Sequence, residues 1–271
     1  MSDLDVQAFA RKIRGHALRM VHRANASHIG SCFSIADLVA ALFSTMRIGP
    51  ALLGDPTRDR FILSKGHAAA VVYAALAVRG FFPETELDNY CVDGSNLTGH
   101  INHMVPGVEV STGSLGHGLP IGCGMALAGA RASGGRWRVF VVLSDGELDE
   151  GSNWEAILFA GHQRLDNLVA IVDYNKWQSF GRTSDVMGLD PLADKWRAFG
   201  WGVREIDGHD YSQIGAALRE VPVQAGHPTV IIAHTTKGKG VDFMENRLEW
   251  HYKSPNAEQL ARGLAQLGGD K

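Results

Sequence analysis

Asp145 and Asn175 stand thirty residues apart, each at the end of an apolar run, where a chain could hold a cation against an anionic ligand. Val139-Phe140-Val141-Val142-Leu143 leads into Ser144-Asp145-Gly146-Glu147. Leu168-Val169-Ala170-Ile171-Val172 leads into Asp173-Tyr174-Asn175. Both runs are rich in β-branched residues and read as buried parallel strands. Between them, from Glu150 to His162, Trp154, Ile157, Leu158 and Ala160-Gly161 recur at helical spacing. The unit is β-α-β, and its strands end where open α/β sheets bind ligands. An Asp and an Asn side by side offer oxygen to a hard cation such as Mg²⁺, which is usually held by one or two carboxylates plus phosphate oxygens. Gly146 lets the backbone approach a phosphate, and the following helix points its amino end at it. The spacing therefore suggests a metal-bridged diphosphate. An Asp-Gly turn and an Asn loop residue in any α/β protein fit the two short motifs equally well.

The remaining pattern is that of a doubly wound, mostly parallel sheet with helices on both faces. Phe9, Ile13, Ala17, Met20 and Val21 share one face of an opening helix. Ile35, Leu38, Val39, Leu42, Phe43 and Met46 mark a second helix, with Ser34 as its expected N-cap. Phe61 to Ser64 is a short strand and His67 to Val78 a helix of small residues. Ser114 to Ala132 is a Gly- and Ala-rich helix. Further strands are expected at Trp201 to Ile206 and Thr229 to His234, a helix at Ser212 to Val223, and a short final helix after Pro255 with a Gly-Gly-Asp-Lys tail.

The segment from Ser144 through Glu147, Glu150 and Glu155 to Asn175 resembles the thiamine-diphosphate motif of transketolases. Ala24-Asn25-Ala26-Ser27-His28-Ile29-Gly30, Asp59 to His67 and Leu97-Thr98-Gly99-His100 are similar to that family's three histidine segments. Ser111-Thr112-Gly113-Ser114-Leu115-Gly116-His117-Gly118 is similar to its loop at the cofactor's aminopyrimidine. Lys237-Gly238-Lys239-Gly240 and Trp250-His251 are similar to the segment that closes over the diphosphate. Five further motifs in order are far more specific than the first alone. The chain departs from the family at Ser144 for Gly, Tyr174 for Asn and His117 for Gln.

The resemblance implies thiamine diphosphate and Mg²⁺ (or Ca²⁺ or Mn²⁺), with the metal held by the side chains of Asp145 and Asn175 and the carbonyl of Trp177. It places His67, Gly113, Ser114, Leu115, Asp145, Gly146, Glu147, Asn175, Lys237 and His251 at the cofactor. His28, His67, His100 and His251 become the catalytic set around the thiazolium carbon and the sugar. A histidine taken singly is more often a packed residue than a catalyst. Of the twelve here, His16, His22, His162, His209 and His227 take that reading.

At 271 residues the chain suits one large α/β domain. A single thiamine-diphosphate domain is expected over 1–271. The family's pyrimidine-binding and carboxyl-terminal domains are then expected on a partner chain, with a glutamate for the cofactor's ring nitrogen. The implied assembly is a heterotetramer with two copies of each chain. Trp154, Phe159, Met125 and Leu119 are expected on the apolar face it covers, and Glu150 and Glu155 face either that interface or solvent. Net charge −3 gives no sign of nucleic-acid binding, and no apolar stretch is long enough to span a membrane. The acidic Met1 to Asp5 has no signal-peptide pattern, and Cys32, Cys91 and Cys123 form no metal or disulfide framework. A cytoplasmic enzyme is the natural expectation. Three function classes fit: a two-chain transketolase acting on a ketose and an aldose, phosphorylated or not; another split thiamine-diphosphate carbon–carbon enzyme using an unusual sugar or making an acyloin; and a binding protein that kept the fold. Intact Asp145, Asn175 and the four matched histidines argue against the last. Oxo-acid dehydrogenase subunits share the diphosphate motif, but the histidine segments are similar to transketolase.

Overall fold

A computed structural model of the chain describes residues 3–132 and 137–268. Among them, five strands pair in parallel: β1 (Arg60–Leu63), β2 (Val139–Ser144), β3 (Leu168–Tyr174), β4 (Gly202–Asp207) and β5 (Thr229–His234), in the order β1-β2-β3-β5-β4. The two β-branched runs are adjacent, Val139 opposite Leu168 and Ser144 opposite Asp173. Every residue of β2 and β3 is buried, as expected of central strands covered on both faces.

The two-residue period of a strand divides the apolar side chains between two cores. Phe140, Val142, Val169, Ile171 and Ile231 face one; Val139, Val141, Leu168, Ala170 and Ile232 face the other. The first is closed by α1 (Asp3–Arg23), α2 (Ile29–Thr45), α3 (Ala69–Val78) and later α8 (Tyr211–Arg219). The second is closed by α4 (Gly118–Arg131), α5 (Gly151–Gln163) and α7 (Leu192–Ala198). A short α6 (Thr183–Val186) follows β3, and α9 (Ala257–Gln266) packs against α1. The predicted apolar face of α1 is buried at all five positions, and α2 is buried continuously from Ile29 to Phe43.

Four expectations are corrected. Ser34 is not an N-cap: α2 begins five residues earlier, at Ile29, and the Ser34 hydroxyl lies 2.7 Å from a buried carboxylate, Asp173. The helix expected from Ser114 begins only at Gly118, because Gly116 has a left-handed backbone, φ 84°, that a right-handed helix does not contain. The helix expected to Val223 stops at Arg219, three residues before Pro222, which has no N–H to continue it. Leu119 is fully buried against the sheet, on the inner side of α4. Phe159 is exposed as expected, and Trp154 and Met125 are partly so. Met1, Ser2 and the tail residues Gly269 to Lys271 lie outside the described residues. Cys32, Cys91 and Cys123 are free, and among the described residues no helix is long and apolar enough to cross a membrane.

Candidate active site

The floor of the site is one buried ion pair. Lys65, just past β1, places its ammonium 2.5 Å from Asp173 near the end of β3, and both side chains are fully buried. The Asp173 carboxylate also receives the hydroxyls of Ser34 and Thr235 and, at 2.8 Å, the amide nitrogen of Asn175. Burial alone would raise this carboxyl; the charge of Lys65 outweighs it and holds the group below its ordinary range. One charge thus ties together α2 and the ends of β1, β3 and β5. It also orients Asn175: with its nitrogen committed to Asp173, the amide presents its oxygen, which accepts from Trp177 N–H at 3.0 Å.

Asp145, one strand away, is equally buried but has only neutral partners among the described residues. Its oxygens accept from Gly146 N–H at 2.8 Å, Lys176 N–H at 2.6 Å and the Thr183 hydroxyl at 3.1 Å. Burial, then the nearby Asp173, pushes its carboxyl up to about 7. A divalent cation would restore its charge. No cluster of three His, Cys, Asp or Glu side chains among the described residues forms a metal cage. Asp145, Asn175 and the Trp177 carbonyl form an all-oxygen set that suits Mg²⁺ completed by oxygens from a ligand. The residues fit the implied metal.

Above this floor the four matched histidines meet. His28 precedes α2, His67 follows β1, His100 lies in the loop after α3, and His251 ends the turn Leu248–His251. The His28 ring lies 5.1 Å from that of His67, 5.6 Å from His100 and 5.1 Å from His251. They line one cleft of about 170 Å³, whose other wall includes Gly113, Leu115, Gly146, Asn175 and Trp177. His28 has a left-handed backbone, φ 75°, a conformation costly for a residue with a Cβ and concentrated at functional sites. Its N–H donates to the His251 carbonyl at 2.9 Å.

All four imidazoles are held neutral. Burial, then His100 and Lys237, lowers His28 to about 4; burial, then Lys237, lowers His251 to about 3. Burial, then Lys65, holds His67 well below its ordinary value, and burial lowers His100. Lys237 lies 2.9 Å from Nδ1 of His251, and burial followed by Lys65 lowers it to about 8. Neutral rings can accept a proton and return it.

Four residues expected at the cofactor, Ser114, Asp145, Glu147 and Lys237, do not line the cleft. Ser114 is exposed beside the cleft without lining it. Glu147 is buried beneath the loop, where its carboxylate accepts from the Ser64 hydroxyl, Gly116 N–H at 3.0 Å and Ser144 N–H at 3.2 Å. It joins the Asp145 turn to the Gly113–Leu115 loop instead of facing a ligand. Asp145 and Lys237 are fully buried behind the cleft surface. Sequence reasoning passed over Lys65 and Asp173. Their signal was a charged residue at the end of each apolar run, a type almost never fully buried unless paired.

A family model described as "Transketolase, thiamine diphosphate binding domain" matches residues 6–271. The chain belongs to the transketolase family. It is 40% identical over 259 residues to a Phocaeicola vulgatus protein named as one subunit of an apulose-4-phosphate transketolase, covering 95% of this chain and 92% of that one. It is 41% identical over 266 residues to a Clostridium protein named 6-deoxy-6-sulfo-D-fructose transketolase subunit SqwG, covering 97% and 96%. The crystal structure of Campylobacter jejuni transketolase matches with a TM-score of 0.94 at 30% identity, over all of this chain and 44% of that one. The chain thus spans under half the length of that solved transketolase. Its fold is that of a transketolase's thiamine-diphosphate-binding domain.

Proposed function

We propose that this chain is the diphosphate-binding subunit of a two-chain transketolase, moving a two-carbon ketol unit from a ketose to an aldose. The observation that carries the reading is the meeting, in one cleft, of four neutral imidazoles with the Asp145–Asn175 oxygen site. Thiamine diphosphate, when bound, supplies the electron sink for breaking the bond beside a ketose carbonyl. Asp145, Asn175 and the Trp177 carbonyl would hold Mg²⁺ against the diphosphate, with Lys237 adding a cationic donor. The loop at Gly113 and Leu115 would lie along the aminopyrimidine. His28 and His100 contact the sugar; His67 and His251 serve the diphosphate and the reacting oxygens. The cluster takes a proton from the donor hydroxyl and returns one to the acceptor's oxygen, work suited to positioned neutral imidazoles.

The partner is a chain carrying the pyrimidine-binding domain, its glutamate and most of the grip on the substrate's anionic group. The relatives named as transketolase subunits support this, as do exposed apolar side chains: Phe180 is 81% exposed, Leu158 57% and Met187 57%. The assembly is two copies of each chain. The relatives' names attach to a phosphorylated and a sulfonated sugar, so an anionic sugar is the substrate class we favour. The free cysteines agree with a reducing, cytoplasmic setting. The test is native mass measurement of the co-expressed pair, with ketol-transfer assays of each chain and of the mixture. Transfer is expected only from the mixture. Robust transfer by the 271-residue chain alone would overturn the half-site reading.

A further inference from the structure

The turn Asp207-Gly208-His209-Asp210 lies outside the cleft, and no step above uses it. Its histidine nevertheless has both ring nitrogens engaged. Nδ1 lies 2.8 Å from Asp37 Oδ2, and Nε2 lies 2.8 Å from the main-chain nitrogen of Thr236. A main-chain N–H can only donate, so Nε2 is a bare acceptor and the hydrogen of the neutral ring sits on Nδ1, donated to Asp37. Asp37 is itself buried, gripped at 2.7 Å by both terminal nitrogens of Arg14 and bonded by the Tyr211 hydroxyl. Burial alone would raise its carboxyl; the charge of Arg14, with hydrogen bonds from Arg14, His209 and Tyr211, holds it ionised well below the usual range. The imidazole is clamped from behind by a group that always accepts.

What it clamps is the strap at 235–240 that leaves β5 and carries Lys237. Along this strap the Thr235 hydroxyl donates to Asp173, Lys237 lies 2.9 Å from His251 Nδ1, and Gly238 N–H donates to the Gly30 carbonyl at 3.0 Å. The turn lies flat against it because residue 208 has no side chain: a Cβ there would stand 2.4 Å from Thr235 Cγ2. The turn is rigid in its own right. Asp207 accepts from His209 N–H at 2.8 Å, and Asp210 caps α8.

We propose that His209 is a positioning residue for the cofactor end of the cleft, its Nε2 holding Thr236 N–H and so fixing the strap that presents Lys237 to His251. The proposal rests on the reading of the cleft as a thiamine-diphosphate site. Three substitutions separate the two halves of the contact. His209→Gln sets an amide oxygen near the place of Nε2 and keeps an acceptor for Thr236. His209→Asn sets an amide nitrogen near the place of Nδ1, keeps the donor to Asp37 and drops the acceptor. His209→Ala drops both.

Hydrogen exchange of the cofactor-free chain reads the strap directly. Residues 235–240 are expected to exchange about tenfold faster in the Asn and Ala variants, with the Gln variant near the parent and the β2 and β3 amides unchanged. Titration with thiamine diphosphate and Mg²⁺, with the partner chain present, is expected to show affinity about tenfold weaker for Asn and Ala, and largely restored by Gln, the scale seen when outer partners of a bound group are removed. An Asn variant with parental exchange, or a Gln variant no better than Ala, would overturn the proposal. Faster strap exchange with no cofactor binding even by the parent would support the strap contact and overturn the cofactor reading. Should the Ala variant fail to fold, the Gln–Asn pair carries the same test.

Discussion

The floor and the wall of the cleft treat buried polar groups in opposite ways. On the floor, Asp173 has a full ionic partner in Lys65 and three further donors, and it keeps its charge. In the wall, Asp145 is as deeply buried but has only neutral donors, and its carboxyl rises to about 7. The four histidines beside it are held neutral. The floor is complete in itself and serves the fold. The wall holds a carboxyl short of a countercharge and bases short of protons, which is stable only because the floor and the two cores fix its shape. The proposed site for a cation and for proton transfer would require that contrast.

His28→Ala and His100→Ala are expected to lower turnover of the assembled enzyme by about 10²–10⁴-fold, the usual contribution of positioned proton-transfer groups, with cofactor affinity nearly unchanged. Steady-state kinetics with a ketose donor, paired with cofactor titration, measures both. A variant that keeps parental turnover returns that histidine to a packing role.

On the floor the effect moves from rate to stability. Lys65→Met leaves the Asp173 charge buried without its partner and is expected to cost about 3–5 kcal/mol, read by urea unfolding of the cofactor-free chain. A loss below about 1 kcal/mol would show that the floor is not held by this pair.

Asp145→Ala joins the two regions. Removing the proposed metal ligand should weaken thiamine diphosphate and Mg²⁺ binding by about 3 kcal/mol or more, as when one partner of a buried ionic contact is deleted. The cofactor-free chain should lose about 1–3 kcal/mol, because the Gly146 and Lys176 N–H groups and the Thr183 hydroxyl lose their acceptor. Calorimetric titration with the partner present checks the first part and thermal melting the second. Unchanged affinity would remove Asp145 from the metal site.

The smallest effect is a pH dependence. The folded values of about 4 for His28 and about 3 for His251 lie below the ordinary 6.5. As pH falls through about 6.5 the unfolded chain takes up these protons before the folded one. The stability they contribute is therefore fully present above that pH and is lost toward pH 4 and below. Asp145, raised toward 7, works in the opposite sense, so parent and variant must be compared at each pH. His28→Gln is expected to lose less stability than the parent between pH 7 and pH 4.5, measured by urea melts. Equal losses would mean that His28 is not held neutral in the fold.

Much of the scaffold was legible because it obeys local rules. The β2 and β3 runs are β-branched and end at a turn, and their ends place Asp145 and Asn175 on one edge whatever the rest of the chain does. The α1 stripe is equally local, since a 3.6-residue period needs no knowledge of the partner it packs on. The histidine set was legible only through resemblance, because no spacing along the chain relates residues 28, 67, 100 and 251.

Tertiary structure decided what depends on competition between distant groups. Ser34 has the chemistry of a helix cap, but a buried carboxylate 139 positions away claims its hydroxyl. Glu147 reads as a ligand beside Asp145, but Ser64 and the loop at Gly116 hold it away from the cleft. Asp173 and Asp145 are indistinguishable as acidic ends of apolar runs, and only the arrival of Lys65 at one of them sets which stays charged. Sequence fixes which groups can ionise or donate through their covalent chemistry. Their charge and direction depend on burial and on nearby partners, and those exist only once the chain has folded.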